Sequence, residues 1–170
     1  MGTATLLSQE IIAEFTEKGY WDSTTFAQVW DRNAKEYPHK EAVVDPRTRL
    51  TWAQAKEWTD RIALTLLELG IQRDQMVILH LPNWVELLLF RVACEKAGVL
   101  CVPVPWTFRH KEIDYIARKL EAVGIVIPWE FHGYNYFDMV REMRPGLPLL
   151  KHVFVAGDYA PARSMSSRRR

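Results

Sequence analysis

Met76-Val77-Ile78-Leu79, then Asn83-Trp84-Val85-Glu86 opening a helical stretch toward Ala97, then Gly98 and Val99-Leu100-Cys101-Val102: this run decides the fold. Four consecutive apolar residues mark a strand buried on both faces, as in a parallel sheet covered by helices. Asn83 stands where a helix N-cap is expected. Gly98 stops the helix, because glycine tolerates the left-handed conformation at a helix end. The segment therefore reads as β-α-β.

The same alternation extends in both directions. Upstream, a short helix is expected within Ser8 to Tyr20, with Ile11, Ile12 and Phe15 on one face. A second helix starts after Thr24 or Thr25, carries Phe26, Val29, Trp30 and Ala34 at helical spacing, and ends before Pro38. Ala42 to Asp45 reads as a strand with a turn at Pro46-Arg47. Thr51-Trp52-Ala53-Gln54 is a capping box, in which hydroxyl and amide side chains satisfy each other's backbone N–H groups. Its helix presents Ala55, Ile62, Ala63, Leu66 and Leu69 and closes at Gly70. Downstream come a helix over Lys111 to Glu121, a strand at Ile125 to Ile127, a helix over Tyr136 to Met143 and a strand at Val153 to Val155. The expected order is β-α-β-α-β-α-β-α-β, an α/β fold with a mainly parallel sheet and helices on both faces. One unit is expected over residues 1–158, with a disordered tail over 159–170 that holds Pro161, serines and arginines.

Composition narrows the function classes. With 170 residues, 48% hydrophobic, 25% charged and a formal net charge of +1, the chain carries no overall bias toward nucleic acid or acidic membranes. No secretory signal or membrane-length apolar run is visible, so a cytoplasmic protein with no nucleic-acid or membrane partner is expected. Cys94 and Cys101 are too few for a disulfide framework and read as small buried residues.

Parallel sheets hold ligands beyond the carboxyl ends of their strands. The segments to inspect are Asp45-Pro46, His80 to Asn83, Pro103 to His110, Pro128 to His132 and Ala156 to Asp158. His80 is either a ligand-edge residue or a hydrogen-bonded structural histidine. Trp106 and Phe108, in a proline-bounded loop, read as exposed aromatics suited to binding. His110, Lys111 and Glu112 are explained by a solvated first helical turn. Trp21, Trp30, Trp52, Trp58, Trp84 and Trp129 read as packing anchors. No glycine-rich phosphate loop, carboxylate pair or nucleophile–base pattern is found.

Several segments carry a resemblance. Leu50-Thr51-Trp52-Ala53-Gln54-Ala55, Leu81-Pro82-Asn83-Trp84-Val85-Glu86 and Lys96-Ala97-Gly98-Val99-Leu100-Cys101-Val102-Pro103-Val104 are similar, in order, to the first motifs of the adenylate-forming ligases. Leu69-Gly70-Ile71 and Asp74-Gln75-Met76-Val77 add to the likeness, with Arg73-Asp74 where the family has Gly-Asp. Glu17-Lys18-Gly19-Tyr20-Trp21 resembles the entry sequence of 2,3-dihydroxybenzoate-type aryl-acid–AMP ligases. The resemblance covers residues 17–158 and implies a two-step reaction. A carboxylic acid substrate and ATP, assisted by Mg2+, give an acyl-adenylate, and coenzyme A or a carrier thiol then takes the acyl group. The family's phosphate loop ending in Pro-Lys-Gly, its adenine and ribose motifs and its C-terminal lysine have no counterpart here. The expectation is an N-terminal ligase fragment, inactive alone, that binds none of these ligands tightly. The one binding role the resemblance transfers is contact with the coenzyme A nucleotide by the loop carrying Pro105, Trp106, Thr107 and Arg109. No catalytic or metal-binding residue is transferred. Two alternatives are a non-catalytic interaction module, self-associating through exposed apolar surface, and a small unrelated α/β nucleotide-binding domain.

Overall fold

The computed structural model describes residues 7–157, so the tail expected over 159–170 lies outside the described residues. In chain order the elements are α1 (Gln9–Glu17), α2 (Phe26–Glu36), β1 (Glu41–Val44), β2 (Arg49–Thr51), α3 (Trp52–Glu68), β3 (Met76–Leu79), α4 (Val85–Ala97), β4 (Leu100–Pro103), α5 (His110–Lys119), β5 (Gly124–Pro128), β6 (Glu130–Phe131), β7 (Tyr134–Asn135), α6 (Tyr136–Met143) and β8 (His152–Ala156). Four of these strands form one parallel sheet in the order β4-β3-β5-β8.

Strand alternation divides the core into two layers, since successive side chains point to opposite faces. Ile78, Ile125 and Ile127 face α5 and α6, meeting Ile113, Ala117, Met139 and Val140. Val77, Leu79 and Val126 face the other way, meeting Leu66 of α3 and Cys94 of α4. Fully burying one such side chain is worth about 1.5–3 kcal/mol, so the sheet is held from both sides. A third cluster packs α2, α3 and α4 together, with Trp30 buried at 3% exposure and edge-on to Trp52 at 5.0 Å.

Two capping boxes fix helix starts. Thr51 and Gln54 satisfy each other at α3, and Thr25 and Gln28 do so at α2. Gly98, at φ +70, reverses the chain after α4. Lys96 of the Lys-Ala-Gly motif is a structural cation whose side chain is 11% exposed. Its Nζ reaches Asp31 of α2 and, at 2.6 Å, Asp60 of α3. Burial of Asp60 opposes ionisation, but Lys56 and Lys96 outweigh it and hold the carboxyl below its usual range.

Four expectations need correction. The strand at Ala42 to Asp45 does not join the main sheet. It pairs antiparallel with β2, a strand too short to show in the sequence. Asn83 is exposed and caps nothing; the N-cap position of α4 is Trp84, which offers no side-chain acceptor. The cap comes instead from Asp45 in the β1–β2 turn, whose Oδ2 accepts the Val85 N–H at 2.9 Å. Trp58 is 50% exposed and Trp21 37% exposed, so neither is a buried anchor. Cys101 is only partly buried, unlike Cys94.

Candidate functional site

The winding reverses at β3. From it the chain moves outward to β4, then crosses back to β5 on the other side. Open α/β sheets carry their ligand crevice at such a switch point, beyond the strand ends. The residues there are His80 after β3, the Pro105 to Arg109 loop after β4, and the β6–β7 hairpin after β5. That hairpin was not visible in the sequence, because its strands have two residues each. Its turn residues His132 and Gly133 both have positive φ, at 51° and 71°, as tight two-residue hairpins require.

Arg109 organises the loop from within. Its Nη1 donates to the Trp106 and Phe108 carbonyls, each at 2.8 Å. The guanidinium lies 4.0 Å from the centre of the Tyr134 ring. Tyr136 donates its hydroxyl to the Trp106 carbonyl at 2.7 Å. Trp106 and Phe108 are half-buried rather than exposed. The Trp106 ring stacks on His132 at 5.3 Å and meets Phe131 edge-on at 5.1 Å. Phe131 in turn meets Trp84 at 5.4 Å, and the Arg47 guanidinium lies 3.8 Å from the Trp84 ring. The carboxyl edge of the sheet is thus lined by an aromatic row with an arginine at each end. Arg47 and His132 are its exposed members, with Pro105 and Thr107 exposed in the loop beside it.

His80 lies beneath this row at 0% exposure, edge-on to Tyr136 at 5.2 Å. Neither ring nitrogen makes a hydrogen bond, although the backbone of Trp106 and Pro105 lies nearby. Burial, aided by the Arg109 charge, pushes its pKa down to about 4 against the pull of that backbone. The unfolded chain, with a pKa near 6.5, therefore binds the proton first, and stability falls as pH drops from about 6.5 to about 4. Urea unfolding from pH 7 to 4.5 should show about 2–3 kcal/mol lost through this group. His80→Leu should remove that component and leave a flatter profile; parallel profiles for the two proteins would contradict the assignment.

The other candidate residues are not brought together into a reactive group. Asp45 serves α4. His110 Nε2 pairs with Glu142 Oε2 at 3.0 Å on the outer surface, joining α5 to α6. Among the described residues, no group of three His, Cys, Asp or Glu side chains is placed to hold a metal, and no helix is long and apolar enough to cross a membrane. The site offers flat aromatic and cationic surface without a nucleophile–base pair.

The sequence profile of the AMP-binding enzyme family matches residues 30–165. The chain is 29% identical over 149 residues to the 2,3-dihydroxybenzoate-AMP ligase of Bacillus subtilis, covering 88% of this chain and 28% of the relative. Against the salicyl-AMP ligase / salicyl-S-ArCP synthetase of Mycobacterium tuberculosis it is 32% identical over 157 residues, covering 88% and 27%. The mouse mitochondrial medium-chain acyl-CoA ligase ACSF2 is 32% identical over 136 residues, covering 76% and 22%. Among solved structures, apo MbtA of Mycobacterium smegmatis superposes with a TM-score of 0.79 at 28% identity, covering 89% of this chain and 28% of that one. The chain thus spans about a quarter of the length of these relatives.

Proposed function

The chain belongs to the AMP-binding enzyme family, and from that membership we propose that it supplies the N-terminal platform of an ATP-dependent acid–thiol ligase acting on an aryl or acyl acid. In that reaction a carboxylate oxygen bonds to the α-phosphorus of ATP and pyrophosphate leaves. A thiol then attacks the acyl carbon and AMP leaves. The observation that carries this reading is the family match over a parallel sheet whose helix-stop-strand segment, Lys96 to Val104, coincides with the second family motif. The dihydroxybenzoate- and salicyl-AMP ligases among the relatives favour an aryl acid.

The 170 residues alone do not perform the adenylation. A triphosphate needs converging backbone amides and cations. No glycine-rich loop occurs in the sequence. No step is therefore assigned to a residue of this chain. β8 is an edge strand among the described residues, which supports a platform that works against further polypeptide. A groove of about 490 Å³ flanks it, lined by Leu50, Trp58, Ile62, Leu89 and Val155. Such surface also favours self-association of the isolated chain.

The aromatic edge supports a role for Pro105, Trp106, Thr107 and Arg109 at the nucleotide end of coenzyme A. Arg109 would act by shaping the loop, since its guanidinium is held by the loop's own carbonyls. Trp106 and Thr107 would make the contact. The cytoplasm is the proposed compartment.

A hybrid tests the reading. Residues 30–157 would replace the matching segment of the Bacillus subtilis 2,3-dihydroxybenzoate-AMP ligase. The hybrid should keep dihydroxybenzoate-dependent ATP–pyrophosphate exchange, and Trp106→Ala within it should raise the thiol KM without abolishing exchange. A folded hybrid with no exchange would contradict the assignment.

A further inference from the structure

Cys94 and Cys101 flank the turn at Gly98, on α4 and β4. The Cys94 carbonyl accepts the Val99 N–H at 2.8 Å, which ties the turn and brings the strand back beneath the helix. Both side chains belong to the core layer on the α3–α4 side of the sheet. The two thiols are neighbours in this layer, close enough for each to act on the other's proton. Arg91, on the same helix, places Nη1 4.0 Å from Cys101 Sγ. The pair is asymmetric in access. β4 is an edge strand of the described sheet, and Cys101 is partly exposed, whereas Cys94 is fully buried.

We propose that Cys101 is an oxidant-modified thiol and Cys94 its resolving partner, so that peroxide closes a disulfide between α4 and β4. The Cys101 thiolate attacks one peroxide oxygen. The O–O bond breaks, and the leaving hydroxide takes up the thiol's proton as water, giving a sulfenic acid at Cys101. Cys94 then attacks the Cys101 sulfur. The S–O bond breaks and a second water leaves with the Cys94 proton. Two thiols are oxidised by two electrons, and one hydrogen peroxide is reduced to two waters.

Charge distribution agrees with this division of roles. The neighbouring Cys94 thiol, with Arg91, lowers the Cys101 pKa to about 6, against burial and the Glu95 charge. The neighbouring Cys101, with burial, pushes the Cys94 thiol up. The partly exposed sulfur with a cation beside it is suited to react first, and the buried one to resolve. Two cysteines merely filling core space would not require the cation. The inference does not depend on the ligase reading.

The test uses the full chain with stoichiometric hydrogen peroxide. Intact mass should fall by about 2 Da, for two hydrogens lost, and dithiothreitol should restore it. A non-reduced digest should yield one intramolecular Cys94–Cys101 cross-link. In Cys94→Ala the disulfide cannot form, and dimedone should trap the sulfenic acid at Cys101. In Arg91→Met, alkylation of Cys101 by iodoacetamide at pH 6.5 should slow about threefold. Oxidation confined to methionines with both thiols still titratable, or disulfide-linked dimers in place of the internal bridge, would overturn the proposal. Alkylation of wild-type Cys101 at pH 6.5 no faster than that of free cysteine would do the same.

Discussion

Tyr136→Ala is expected to cost the fold about 3–5 kcal/mol, the range for truncating a large buried aromatic. Tyr136 is 0% exposed and is the first residue of α6. Its ring fills the space beside His80 and Tyr134, at 5.2 and 5.0 Å. Its hydroxyl holds the Trp106 carbonyl that also accepts from Arg109. Truncation would open a cavity under the loop and leave His80 facing it. Tyr136→Phe keeps the ring and loses one hydrogen bond, so about 1 kcal/mol is expected. The comparison separates packing from loop anchoring. Denaturant unfolding measures both, and equal losses for the two variants would show that the hydroxyl, not the ring, supports the edge.

The second large effect is expected at Asp45. Its side chain is 4% exposed and accepts three backbone N–H groups, from Val85, Arg47 and Thr48, at 2.9, 2.8 and 2.7 Å. Burial opposes ionisation, but these donors and the Arg47 charge prevail and keep the carboxyl below its usual range. Asp45→Ala should destabilise the protein by about 3–4 kcal/mol, since charged hydrogen bonds are worth about 1.5–3 kcal/mol each and are not additive. Asp45→Asn should lose about half as much, because one amide oxygen can still cap α4. The lowered pKa makes this contribution present above the unfolded value of 3.8 and lost as pH falls further. It is therefore separable from that of His80, which is spent before pH 4. Wild-type-like stability of the alanine variant at pH 7 would contradict the capping role.

Local signals in the sequence carried over well. The Thr51–Gln54 box, the Gly98 stop and the buried strand at Met76 depend on near neighbours, and the structure holds each of them. The strand at Leu100 forms too, but it lies at the sheet edge with Leu100 44% exposed, not buried on both faces as its four apolar residues implied. Signals that depend on distance did not. Asn83 has the chemistry of a cap and lies one residue before the N-cap position, yet Asp45, 40 residues before the Val85 it caps, takes the role. Nothing in the local pattern shows which of two polar residues will reach a helix end. The β6–β7 hairpin escaped notice because its strands are too short for alternation, and His132 occupies a turn position where asparagine or glycine would have announced it.

The edge of the sheet was legible in outline. The loop from Pro105 to Arg109 sits at the switch point, as the parallel topology requires. What the arginine does there was not legible. Its guanidinium folds inward onto two carbonyls and an aromatic ring, so a residue suited to phosphate serves the loop itself. Lys96 follows the same pattern, being a motif residue whose charge is spent on Asp31 and Asp60.

Carboxylate-dependent ATP–pyrophosphate exchange by the purified 170-residue chain, assayed with 2,3-dihydroxybenzoate, salicylate and a medium-chain fatty acid, bears most directly on the platform reading. Exchange at the no-enzyme background is expected for every acid, because the sequence carries no glycine-rich phosphate loop. Turnover that rises with any one acid, and is lost when that acid is withheld, would contradict it.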